Sequence, residues 1–92
     1  MVGSSFEREV VKTLEERGFL AFRCRGKYGV DVIGIKKDYI WLIQCDDSSE
    51  PITQMQTKKR AEVLKENAEK YGCIPLLAKK EKNGEIIFSK IT

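Results

Sequence analysis

Near the N-terminus apolar residues recur at helical spacing. Phe6, Val10, Val11 and Leu14 share a face, which predicts a helix over Ser4–Arg17 with Gly18 as its stop. Ser4 and Glu7 have the Ser-x-x-Glu spacing of a capping box. Beyond Gly18 the pattern changes. Phe19–Arg23 and Val30–Ile35 read as strands on either side of the turn "RGKYG" at 25–29, and "KKD" at 36–38 closes a hairpin onto Tyr39–Asp46. The run Tyr39-Ile40-Trp41-Leu42-Ile43 shows no alternation, which suits a central strand covered on both faces. "DDSSEP", 46–51, reads as a loop. Thr53–Tyr71 carries Ala61, Leu64, Ala68 and Tyr71 along one stripe and is stopped by Gly72. Ile74–Ala78 is a further apolar strand, and the Asn-Gly of "KNGE" at 82–85 turns the chain into an edge strand over Ile86–Ile91. The predicted order is α-β-β-β-α-β-β: an α/β domain over 1–92, with a mixed β-sheet flanked by helices.

Composition narrows the chemistry. At 41% hydrophobic and 34% charged, the 92 residues suit a globular domain with a core of its own, needing neither metal nor disulfide. No apolar run approaches a membrane span and the N-terminus has no signal-peptide core, so the expected location is cytoplasmic. Cys24, Cys45 and Cys73 are scattered without a CxxC pair and read as small buried hydrophobes. Histidine is absent, which removes Ser-His and Cys-His nucleophilic pairs, histidine-containing zinc sites and any histidine general base. Hard-metal chemistry through carboxylates and amide oxygens stays open.

The end of the third predicted strand is polar: Gln44, Cys45, Asp46 and Asp47 follow directly on the apolar run. With a hairpin at 36–38, cross-strand partners have numbers summing to 74 or 75. Asp31 then lies opposite Ile43 or Gln44. Gln44 and Asp46 share a face, and if Asp31 opposes Gln44 all three polar groups meet there. Asp31 sits in "VDVIGI", where its neighbours call for burial, and a buried unpaired carboxylate is expensive. Two carboxylates and an amide oxygen would make half a shell for Mg²⁺ or Mn²⁺, able to hold a phosphate and activate a water. The plainer readings are that Asp46 and Asp47 mark the chain surfacing, that Asp31 faces the surface or bonds locally, and that Glu7 only completes the capping box.

"SSFEREVVKTLEERGFLAFRCRG", followed by "GVDVIGI" and "YIWLIQCD", resembles the archaeal Holliday junction resolvases of the PD-(D/E)XK nuclease superfamily, over nearly the whole chain. The resemblance implies a restriction-endonuclease-like fold and a homodimer that binds four-way DNA junctions in recombination and repair. It further implies cutting with Mg²⁺ or Mn²⁺ at a site formed by a helix Glu, a strand Asp and an E-x-K triplet. Carried over by position, the catalytic candidates are Glu7, Asp31, Gln44 and Asp46, with Glu7, Asp31 and Asp46 as metal ligands. The triplet departs from the family: its Glu is Gln44 and its Lys is Asp46. Val30 replaces a Pro, and the serine-bearing loop is shortened to "RGKYG". A neutral Gln holds a divalent ion less strongly than Glu, and Asp46 cannot supply the positive charge that Lys gives to a developing phosphorane. Arg25, Lys27 or Lys58 could restore a cation by migration.

The net charge of +3 matters through its placement. Arg23, Arg25 and Lys27 lie beside the turn, and Lys58, Lys59 and Arg60 lie in the first half of the second long helix. These two groups flank the candidate site and read as DNA-binding, whereas Lys79, Lys80 and Lys82 read as a solvated turn. Three functions follow: a metal-dependent, structure-selective endonuclease with weakened or lost activity, a non-cleaving paralogue that binds branched DNA, or a protein-interaction module that has kept only the fold.

Overall fold

The first helix ends as its sequence requires. Gly18, at φ 89°, turns the backbone into the left-handed region. The Gly18 N–H then donates to Glu15 at 3.1 Å and the Phe19 N–H to Leu14 at 2.9 Å. This pair of bonds satisfies carbonyls that the helix leaves open, and the Phe19 ring follows Leu14 into the core.

The computed structural model describes residues 2–46 and 54–92. Its elements are α1 (Val2–Glu16), β1 (Leu20–Arg23), β2 (Val32–Lys36), β3 (Tyr39–Asp46), α2 (Gln54–Tyr71), β4 (Ile74–Lys80) and β5 (Ile86–Lys90), with a short 3₁₀ turn at Lys27–Gly29. The strands form one sheet in the order β1-β2-β3-β4-β5. β3 is central, antiparallel to β2 and parallel to β4, while β4 and β5 form the closing antiparallel pair. The predicted α/β order and mixed sheet are therefore observed, with β5 as an edge strand. The predicted loop lies, from residue 47 onward, outside the described residues, as does Thr53 at the head of the second helix.

The lack of alternation along Tyr39–Ile43 is explained by two cores. On one face Phe6, Val10 and Leu14 of α1 pack on Val32, Ile43, Leu76 and Ala78. On the other, Leu64 and Ala68 of α2 pack on Val30 and Leu42. Successive residues of β3 thus enter different cores, which only a central strand can do.

Three local expectations are corrected. The helix already includes Val2, so Ser4 lies within it rather than ahead of it at the N-cap place that the capping box requires. Tyr71 does not join the buried stripe of α2; it is 67% exposed at the helix end, where the chain turns towards β4. The cysteines are free but only half-buried.

Candidate functional site

The hairpin register pairs Val32 with Ile43 and Lys36 with Tyr39, a sum of 75. Asp31, one place before β2, is bound to both neighbours of Gln44. Its N–H donates to the Ile43 carbonyl at 2.8 Å, and its carboxylate Oδ2 accepts the Cys45 N–H at 2.9 Å. The strand tip is thereby clasped from the side. The Asp31 carbonyl in turn accepts the Cys24 N–H at 2.7 Å, which ties it to the chain beyond β1. Asp31 and Gln44 are the two buried polar residues of the described chain, at 8% and 2% exposure.

Gln44 and Asp46 are two apart on β3 and share the face that Leu42 presents to α2. Asp31 turns towards the same helix. Arg60 of α2 places one terminal guanidinium nitrogen 2.9 Å from Asp31 Oδ1 and 3.0 Å from Oδ2. Both carboxylate oxygens are therefore engaged, by a backbone donor on one side and a cation across the two. The Gln44 side-chain oxygen is different: it is buried with no hydrogen-bond partner among the described residues. Such an orphaned acceptor is costly, and it marks a position whose polarity the core does not ask for. Asp46 is half-buried at the end of β3.

Glu7 reaches the same end of the sheet from the α1 side. Burial, then repulsion from Asp31, pushes its carboxyl above the ordinary range, while Arg23 and Arg60 oppose that shift. Arg23 stands 3.9 Å from it, too long for a hydrogen bond. Cys45 points into the α1 core, where burial first and then the charges of Asp31 and Glu7 push its thiol far up. Cys24 shifts in the same direction, again chiefly through burial. Neither thiol is a poised nucleophile.

The basic residues divide. Arg23, Arg25, Lys27, Lys58 and Lys59 are exposed, whereas Arg60 is half-buried against Asp31. The two runs meet because the 3₁₀ turn packs on α2. Gly29, at φ 76°, lies so close to it that an added Cβ would stand 2.5 Å from the Arg60 carbonyl oxygen. No sequence signal announced this contact beyond the glycine itself. Of the third basic group, Lys80 pairs with Glu9 at 2.9 Å on the surface.

A divalent ion does not fit these residues as they stand. Among the described residues no three carboxylates or thiols gather as a chelating group, so Glu7, Asp31 and Asp46 do not form one. Both Asp31 oxygens already face Arg60. None of the described helices is long and apolar enough to cross a membrane.

The sequence pattern of the archaeal Holliday junction resolvase (Hjc) family matches residues 1–92. The chain is similar to the crossover junction endodeoxyribonuclease Hjc of Methanocaldococcus jannaschii, with 40% identity over 86 residues, covering 94% of this chain and 63% of that relative. The fold matches Hjc of Archaeoglobus fulgidus, a Holliday junction resolvase from an archaeal hyperthermophile. There the TM-score is 0.78 at 20% identity, over 95% of this chain and 74% of the other.

Proposed function

Since the chain belongs to the archaeal Holliday junction resolvase family, we propose that it binds four-way-junction DNA through the basic face around Asp31 and cuts it weakly or not at all. The observation that carries the binding half is the contact of Gly29 with α2. It brings the turn that carries Arg25 and Lys27 against the helix that carries Lys58 and Lys59, which supports reading these cations, with Arg23, as one phosphate-binding set although the two runs are far apart in sequence. Such an exposed cationic set is suited to tracking phosphates.

The cutting half rests on residue chemistry. Gln44 carries no charge for a metal, and Asp46 would repel a scissile phosphate where the family has a lysine. A weak activity would depend on Glu7, Asp31 and Asp46 holding Mg²⁺ or Mn²⁺, for which no ligand set is gathered among the described residues.

A pair of chains is part of the proposal. Leu20 and Phe22 of β1 are 58% and 50% exposed. Leu20 lies in register with Ile35 of β2 and onward with Ile40 of β3, which are also exposed, at 37% and 39%. This open apolar face, beside the cavity formed by Tyr28, Val30 and Tyr71, supports coverage by a second copy.

The test is a gel-shift titration of a four-way junction and a linear duplex, with nicking assayed in Mg²⁺ and in Mn²⁺. Salt-sensitive preference for the junction, weakened by Arg25→Glu and Lys59→Glu, is expected, with little or no nicking. Junction binding that survives both charge reversals would refute the proposed interface. Efficient nicking would refute the weakened site.

A further inference from the structure

Arg60 occupies the outer edge of the Asp31 carboxylate: one guanidinium nitrogen donates to both oxygens, at 2.9 and 3.0 Å. The Cys45 N–H already occupies a further lone pair of Oδ2. The main chain of Asp31 is fixed by its bonds to Ile43 and Cys24, and its carboxylate is oriented by the Cys45 N–H and the Arg60 guanidinium. The backbone of Arg60 is seated too, its carbonyl lying close against Gly29. A second cation would meet both the charge and the bulk of the first.

We infer that Arg60 is the resident cation of this site: its guanidinium neutralises Asp31 in place of a divalent ion, and the folded chain takes up no Mg²⁺ or Mn²⁺ there while Arg60 is present. Two unlike features fit together on this reading. Gln44 is buried between the two residues that Asp31 bonds, its amide oxygen unpartnered, and as a neutral group it adds no second charge to a tip where Arg60 already compensates Asp31. The sequence distance is bridged by the 3₁₀ turn, which sets the level of α2 and so delivers Arg60 to the strand tip. Once the guanidinium is gone, Asp31 and the Gln44 oxygen are hard donors at the same tip, the type a divalent ion accepts.

The inference rests on reading this pocket as the family's altered site, but its test uses protein and Mn²⁺ alone. A failure to bind junction DNA would thus strike the functional reading and leave this one standing. Free Mn²⁺ is followed by electron paramagnetic resonance during titration, and melting is compared in Mn²⁺ and in chelator. The native protein should show no saturable site and the same melting temperature in both. Arg60→Gln, or Arg60→Met if the packing of the stem proves essential for folding, should gain one site. That site should be at least about tenfold tighter than any native binding, the scale on which an adjacent opposite charge acts on a carboxylate. Adding Asp31→Asn should abolish it. A native Mn²⁺ site that disappears with Asp31→Asn would overturn the inference. So would folded Arg60 variants that bind Mn²⁺ no better than the native chain.

Discussion

The carboxylate of Asp31 accepts the backbone N–H of Cys45 at 2.9 Å, so a side chain at the mouth of β2 takes up a main-chain donor at the tip of β3. The sheet ladder proper ends one place earlier, at Val32 and Ile43. Asp31 therefore extends the pairing with its side chain, and it holds Arg60 with the same group. Asp31 has a structural duty that does not depend on catalysis.

Removing either partner should be costly, by different routes. Asp31→Ala leaves the Cys45 N–H unpaired in a half-buried setting, at a cost of about 1–3 kcal/mol. Arg60→Ala leaves the Asp31 carboxylate, whose side chain is 11% exposed, without its cation and should cost at least as much. Urea unfolding of the two variants checks this. A negligible loss for Arg60→Ala beside a clear loss for Asp31→Ala would mean that the backbone clasp, not the ion pair, is what Asp31 contributes.

Gln44 should be replaceable with profit to stability. Its amide is 2% exposed and its oxygen has no partner, so Gln44→Met, of similar length, relieves a desolvated acceptor. A gain of about 1 kcal/mol is expected, seen as a rise of about 4–8 °C in melting temperature. A marked loss would show that the amide makes a bond within the fold.

Glu7 gives a pH signature. Burial and the charge of Asp31 raise its carboxyl above the ordinary value of 4.5. The folded chain thus holds this proton more tightly than the unfolded chain, and stability declines as pH climbs from about the ordinary value through the raised one. Glu7→Gln should cancel that decline, raising the melting temperature at neutral pH by about 2 °C with no gain well below the ordinary value. Melting curves across that range decide it; a gain that persists at low pH would point to some cause other than ionisation.

Gly29 should tolerate nothing larger. At φ 76°, with an added Cβ 2.5 Å from the Arg60 carbonyl, alanine meets both backbone strain and a fixed atom. Gly29→Ala should cost about 2 kcal/mol or more. Because the same contact holds the turn bearing Arg25 and Lys27 against the helix bearing Lys58 and Lys59, junction affinity should fall with it, which a gel-shift assay at a temperature where the variant remains folded would detect.

Oligomerisation has its own probe. If the open apolar face is covered by a second copy, light scattering should give twice the chain mass. Phe22→Glu should yield the monomer without unfolding it, as the residue is half exposed in the single chain. A native monomer at high concentration would dismiss the pairing.

Short-range physics made much of this protein legible from its residues. The Phe6, Val10 and Leu14 stripe, the glycine stop at 18, the Asn-Gly turn and the unalternating central strand all act within a few residues, and each produced the element expected of it. The capping box failed for the same reason that motifs of this kind often fail: two residues at the right spacing do not decide where a helix begins. The hairpin length was enough to bring Asp31 alongside Gln44, because register follows from a turn and an alternation. What it could not determine was the partner of Asp31. Arg60 lies 29 positions away, on a helix whose height over the sheet is set by Gly29 and by the Leu64 and Ala68 packing. Arg60 read equally well as one of several phosphate-binding cations. Only the tertiary approach of α2 turned it inward, since an ion pair across layers depends on where two rigid elements come to rest and not on the spacing along either one.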